Sequence, residues 1–337
     1  MRFAQSWFLI GIVAVFLLAV SAPQLAAPGG PLALGSWQDA LFVMMFLTTG
    51  IALRTAELST ALTSWRLHAL TQGFNLGLVP LLAAAVDPLL GLVGVPAVWR
   101  LGILVTLCLP MTISSCVLLT RLAGGSEAAA LTQATLGGLL GIVITPLWLL
   151  LLAGGKAEID ASKASAHLGL VVLLPVLVGQ LLQRAWPAIM HARGWLNQLS
   201  TVALLINLHQ VFCTSFANGG TVTWGLGVLA IAMGSTHVVL FLSAWHASAW
   251  PIWKLTRGER IAVAICGSHK TAALGIPLMG VLFHGNPDLG AIALPLVTYH
   301  IAENLIDGGI AAYFVRRAAS GVRRSEDAEC RTPNAER

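Results

Sequence analysis

Apolar runs of bilayer-crossing length recur along the chain, each closed by a short polar break. They cover residues 6–21, 39–53, 67–86, 100–119, 131–152, 167–182, 199–216, 221–250, 260–283 and 289–315. A hydrocarbon core of ~30 Å takes about 20 residues of helix, so the pattern predicts an all-α membrane protein with ten transmembrane helices. Two of the runs are interrupted. Within 261–283 stands Gly267-Ser268-His269-Lys270-Thr271-Ala272-Ala273-Leu274-Gly275-Ile276-Pro277, which mixes a cation, an imidazole, hydroxyls, glycines and a proline. A charge at bilayer depth costs roughly 2.5–3.5 kcal/mol on insertion scales, and Pro277 removes a backbone donor. Irregular backbone at that depth survives only where protein buries it or where it lines a wet cavity. This segment therefore reads as a broken helix at a polar site. An interfacial loop would leave two apolar pieces, each too short to span. The run 100–119 is broken in the same manner at Pro110, with Thr112, Ser114, Ser115 and Cys116 following.

The polar stretch 154–165 separates five runs from five. Arg100 and Arg260 open the fourth and ninth runs, Gly125 and Gly285 follow them at the same offset, and Pro110 falls opposite Lys270. Five spans is an odd number, so two such halves insert with opposite orientation. Paired interrupted spans in inverted repeats are the pattern of secondary transporters with a midplane site. The expected organisation is a first five-helix repeat in 1–153, a central loop in 154–165, a second repeat in 166–317 and a disordered cytoplasmic tail in 318–337. The first run, followed by Ala22-Pro23-Gln24-Leu25-Ala26-Ala27, also has the form of a signal peptide.

Composition agrees with the pattern. The chain is 57% apolar and 10% charged, against about 25% charged in soluble domains. The formal charge of +5 does not indicate nucleic-acid binding, because the basic residues lie at helix ends and in the tail. With a cytoplasmic N-terminus, Arg2, Arg54, Arg66, Arg121, Arg184, Arg193, Lys254, Arg257, Arg260 and the arginines after the tenth run share one face. Only Arg100, Lys156 and Lys163 fall on the other. The positive-inside rule then places both termini in the cytoplasm, and the expected location is a bacterial-type inner (plasma) membrane. Five cysteines without a CxxC argue against a disulfide framework and against zinc. A homodimer is compatible with the sequence.

The polar residues inside the spans are the candidate chemistry. His300, Glu303, Asn304 and Asp307 recur at i, i+3, i+4 and i+7, one face of the tenth helix. Buried carboxylates need partners, and Lys270 is the expected one. That pair reads either as a fixed packing element or as a titrating, ion-exchanging centre. Thr112, Ser114, Ser115, Thr132 and Thr135 add neutral oxygens around the Pro110 break; Gln72, Asn75 and Gln133 are the neighbouring amides. Carbonyls freed at the breaks suit a cation, and the half-helix N-termini suit an anionic substrate. The histidines outside this group, His237 among them, read as packing or interface residues. Ser268 and His269 are adjacent and point apart, and no GxSxG, HExxH or metal-ligand spacing occurs, which argues against an enzyme.

Gly267–Pro277 with Leu294-Pro295-Leu296-Val297-Thr298-Tyr299-His300, Leu109-Pro110 with Ser114 to Gly125, and Ala134-Thr135-Leu136-Gly137 together resemble the bile acid:sodium symporter superfamily. The nearest match is its symporter-like branch, with a GS-x-K-T-x-x-x-G-x-P signature. The resemblance implies two inverted five-helix repeats with helices 4 and 9 discontinuous and crossing at the site. It implies a panel domain of helices 1, 2, 6 and 7 and a core domain of helices 3–5 and 8–10. The candidate substrate- and ion-binding residues are Asn75, Thr112, Ser114, Ser115, Cys116, Gln133, Thr135, Ser268, His269, Lys270, Thr271, His300, Glu303, Asn304 and Asp307. The function implied is secondary active transport of a small or amphipathic organic anion, coupled to Na+ or H+, without a further cofactor. A non-transporting membrane regulator of ion homeostasis or envelope biogenesis is the alternative. The chain departs from the bile-acid branch where that branch binds sodium: Ile265 replaces a glutamate, and Ser115 and Cys116 replace a Ser-Asn pair. A sodium ion would then fall to Ser115, Thr135 and Glu303. Alternatively, the Lys270 ammonium takes the cation's place, pairs with Glu303 or Asp307 and makes sodium dispensable.

Overall fold

The computed structural model describes residues 2–27, 29–32, 34–52, 64–153, 166–167, 169–217, 224–283 and 286–330. Twelve principal helices account for the fold, and no strand occurs among the described residues. They are α1 Arg2–Ser21, α2 Gln38–Ala52, α3 Trp65–Leu92, α4 Ala97–Cys108, α5 Ile113–Leu122 and α6 Glu127–Ala153. After the central stretch come α7 Gly169–Ala185, α8 Arg193–Ala217, α9 Trp224–Ala247, α10 Arg257–Ser268, α11 Ala272–Leu282 and α12 Leu289–Cys330. Among the described residues six helical segments, counting α10 with α11 as one, are long and apolar enough to cross a membrane. They become seven when α4 and α5, bent by 67° at their break, count as one span. The apolar stretches Ile10–Ser21, Gln38–Ala52 and Gly169–Ala185 are shorter. The protein is thus a multi-pass helical membrane protein.

Local sequence explains the irregularities. Pro80 has no N–H to offer the carbonyl four residues back, and α3 widens into a π-helical turn over Gly73–Leu78. The Leu76 carbonyl left over accepts the Trp148 indole N–H of α6 at 2.7 Å. Leu109 and Pro110 stop α4 in an extended conformation, and Thr112 reopens the helix as α5. In the second half, His269 and Thr271 are extended between α10 and α11. A capping box between Thr256 and Glu259 starts α10. Gly124, at φ +73°, turns the chain out of α5, and the Ser126 N–H then donates to the Gly258 carbonyl at 2.9 Å. The end of α5 therefore lies beside the start of α10.

The helices sort into two packed groups. In one, α2 lies against α7 and α8, and α1 runs along α8. Gly50 and Gly179 face each other across α2 and α7 so closely that an added Cβ on either would meet the other helix's backbone. The second group comprises α3 to α6 and α9 to α12, with α10 packed on α3, α5, α6 and α9. Contacts of α8 with α11 and α12, and of α2 with α11, join the two groups. The segment 318–330, expected to be disordered, is helical as the continuation of α12. Its alanines, arginines and glutamates are good helix formers, so propensity outweighs polarity there. The central loop 154–165 with Lys156 and Lys163, the residues 331–337, and His284 and Gly285 lie outside the described residues.

Candidate functional site

The two helix breaks meet. The Thr271 N–H donates to the Pro110 carbonyl at 2.8 Å, and Thr112 Oγ1 donates to the Lys270 carbonyl at 3.2 Å. Every helix end leaves carbonyls without helical partners, and burial makes each one costly. At the end of α10 these are met from outside. Asn75 Nδ2 donates to the carbonyls of Cys266, Gly267 and His269 at 3.2, 2.9 and 3.2 Å. The Tyr299 hydroxyl donates to the Ser268 carbonyl at 2.5 Å. At the end of α4, Thr145 Oγ1 donates to the Cys108 carbonyl at 2.9 Å. The Lys270 ammonium supplies the rest: it donates to the carbonyls of Leu107 at 3.0 Å, Leu109 at 2.9 Å and Asn75 at 3.2 Å. Lys270 is fully buried, and its charge rests at the negative end of the α4 dipole.

This corrects the expected Lys–carboxylate pair. Among the described residues the Lys270 ammonium forms no salt bridge, with Glu303, Asp307 or any other acid. Three carbonyls, each carrying a partial negative charge, satisfy the ammonium's three donors, so no acid is required. Glu303 instead touches Lys270 through the backbone, Oε2 accepting the Lys270 N–H at 2.9 Å.

The two acids are held by imidazoles. Asp307 Oδ1 lies 2.8 Å from His237 Nε2, and its Oδ2 lies 2.8 Å from His269 Nε2. Glu303 Oε1 lies 2.7 Å from His300 Nδ1 and 3.6 Å from His269 Nδ1. His237, His269 and both carboxylates have no exposed side-chain surface. The result is a continuous chain from His237 on α9 through Asp307, His269 and Glu303 to His300. At its far end the His300 ring meets Phe8 of α1 edge-on, with centroids 5.6 Å apart. Asp307 faces this network rather than a water-filled cavity.

The remaining expected residues divide clearly. Asn75, Thr112, Lys270 and Thr271 form the crossing, and His269, His300, Glu303 and Asp307 form the imidazole–carboxylate chain. Ser115, Cys116 and Thr135 are buried, whereas Ser114 is exposed. Ser268 Oγ bonds back to the carbonyls of Ala264 and Ile265, and Asn304 Nδ2 to that of His300, so both serve their own helices. Gln133 belongs elsewhere, receiving Gln72 Nε2 at 3.0 Å and lying 2.8 Å from His68 Nδ1. Sequence reasoning passed over His237, Tyr299 and Thr145. A lone imidazole deep in the apolar run of α9 was the available signal for His237, since ionisable residues at that depth are rare. Main-chain acceptors such as Leu107 leave no signal in side-chain identity. Nothing here makes a nucleophile–base pair, and no cluster suited to a metal ion occurs among the described residues.

A buried, charged crossing of two interrupted helices inside a multi-pass bundle is the arrangement of a membrane carrier. Residues 6–317 match the SBF-like CPA transporter family, and the chain belongs to that family. It is 32% identical over 317 residues to the sodium/bile acid cotransporter 7 of Danio rerio, covering 90% of this chain and 92% of that protein. The Mus musculus protein of the same name is 31% identical over 318 residues, covering 90% and 91%. These matches fit the bile acid:sodium symporter superfamily.

Proposed function

We propose that the protein is a secondary active transporter of a small or amphipathic organic anion, in which Lys270 occupies the place of a bound cation. The observation that carries this is the fully buried ammonium held by three main-chain carbonyls where the two helix breaks cross. Such a carbonyl cage is the ligand set of an alkali ion, and here the cation is tethered to the chain. The starts of α5 and α11 are joined by the Thr271–Pro110 and Thr112–Lys270 hydrogen bonds, and their helix dipoles favour an anion. Thr112, Ser114 and Ala273 at these two starts are not fully buried, which leaves the approach open to a substrate. Transport proceeds by movement of the α1, α2, α7, α8 group against the other helices, on a framework of ten spans in inverted halves. The reading is supported by the apposition of Ser126 and Gly258, which runs the two interrupted spans in opposite directions. Both termini face the cytoplasm of a bacterial-type plasma membrane.

Sodium fits these residues poorly. Both Glu303 oxygens already accept hydrogen bonds from within the protein, Ile265 offers no ligand, and the carbonyl cage is filled. No step is therefore assigned to sodium, and the expected set Ser115, Thr135 and Glu303 is set aside. The test is uptake of a panel of organic anions into proteoliposomes, with sodium or choline outside. Wild type should take up an anion in choline, and Lys270→Ala should lose that uptake while eluting as a folded protein. Undiminished uptake by Lys270→Ala in choline would overturn the assignment of the site. Strict sodium dependence in wild type would overturn the tethered cation.

A further inference from the structure

We propose that the protein binds one exchangeable proton between His269 Nδ1 and Glu303 Oε1, carried on the imidazole. This inference rests on the transport reading only for the use to which the proton is put.

Asp307 Oδ2 accepts from His269 Nε2 at 2.8 Å, so Nε2 carries a hydrogen. A neutral His269 would then hold a lone pair on Nδ1. That atom is fully buried, has no hydrogen-bond partner and faces Glu303 Oε1 at 3.6 Å. Two acceptors facing each other in a buried site repel, and a proton on Nδ1 converts the contact into an attraction. His237 Nδ1 is also buried and unpartnered, but among the described acids its ring reaches Asp307 and no second one.

Lys270, Glu303 and Asp307 sum to −1 when the three imidazoles are neutral, and one added proton brings the buried set to zero. A net charge in such a site is costly, and its removal favours the protonated form. Tyr299 on α12, Cys116 on α5 and Cys266 on α10 also lie within electrostatic reach of the acids or of His269, and as a phenol and thiols they add no charge.

The site is wired to both parts of the fold. Glu303 Oε2 holds the Lys270 N–H at the crossing, so losing the proton changes the charge against the break itself. At the other end, His300 of α12 meets Phe8 of α1, a contact that reaches from one helix group to the other. Movement between the groups would open His300, and with it the proton, to solvent.

The experiment reads the proton directly. The full chain is prepared in lipid bilayers with 15N-labelled histidine and 13C-carboxyl-labelled aspartate and glutamate, and solid-state NMR spectra are recorded at pH 8. There an exposed imidazole of ordinary pKa, about 6.5, is only ~3% protonated. The expected spectrum shows one imidazolium, with both nitrogens protonated, among the nine histidines. Its nitrogens should contact one aspartate and one glutamate carboxyl, a combination that separates His269 from His237 and His300 without any substitution. Nine neutral rings, or an imidazolium touching only one kind of acid, would overturn the proposal. Glu303→Gln, whose amide needs no proton to balance charge, should abolish the imidazolium; its persistence in the folded variant would also overturn it. The spectrum contains no substrate, so its outcome is independent of the uptake assay.

Discussion

Lys270→Ala has consequences that the carbonyl cage makes calculable. The substitution removes the donors to the carbonyls of Asn75, Leu107 and Leu109, all in the buried crossing. An orphaned buried acceptor costs about 1–3 kcal/mol, which is about 3–9 kcal/mol for three. Against this stands relief from burying an ammonium, an effective penalty of several kcal/mol. Removing one member of a buried charged constellation costs about 3–5 kcal/mol net, and that is the loss expected here. The truncated side chain also leaves a space lined by three carbonyls. A small monovalent cation entering it restores the missing charge, and at a hundred times its dissociation constant would return ~2.7 kcal/mol. Thermal unfolding in detergent should therefore show Lys270→Ala strongly destabilised in choline chloride and recovering in sodium or ammonium chloride at equal ionic strength. Lys270→Met keeps the stem in the space and should recover in none of them. Lys270→Ala as stable as wild type, or equally unstable in all three salts, would mean that the three carbonyls do not form a cation site.

Asn75→Ala removes two amide N–H donors shared among three carbonyls at the end of α10 and should cost about 2–6 kcal/mol in the same unfolding assay. Tyr299→Phe removes only the donor to the Ser268 carbonyl, and a smaller loss of about 1–3 kcal/mol is expected. Gly50→Val or Gly179→Val should separate α2 from α7, lowering the unfolding temperature while leaving the crossing intact. Arg121→Cys and Lys156→Cys should label from opposite sides of sealed vesicles; labelling of both from one side would mean that the span count is wrong.

How much of this was legible beforehand depends on whether the information is local. The apolar runs set the class, because only a bilayer accommodates so many of them, and six to seven of the described helical segments are long and apolar enough to cross one. The breaks were legible too. Pro110 cannot continue a helix, and the glycines around Lys270 weaken one, whatever lies nearby. The face shared by His300, Glu303 and Asp307 followed from helical periodicity alone. Which groups satisfy one another did not. The sequence offers a lysine and two acids, and pairing them is the natural expectation. The crossing instead presents Lys270 with the unspent carbonyls of Leu107, Leu109 and Asn75, acceptors that every residue carries and that no pattern advertises. The acids then take imidazoles, one of them His237 from α9, seventy residues from its partner Asp307. Burial compels every polar group in this site to find a partner, but only the approach of helices distant in sequence decides which partner is within reach.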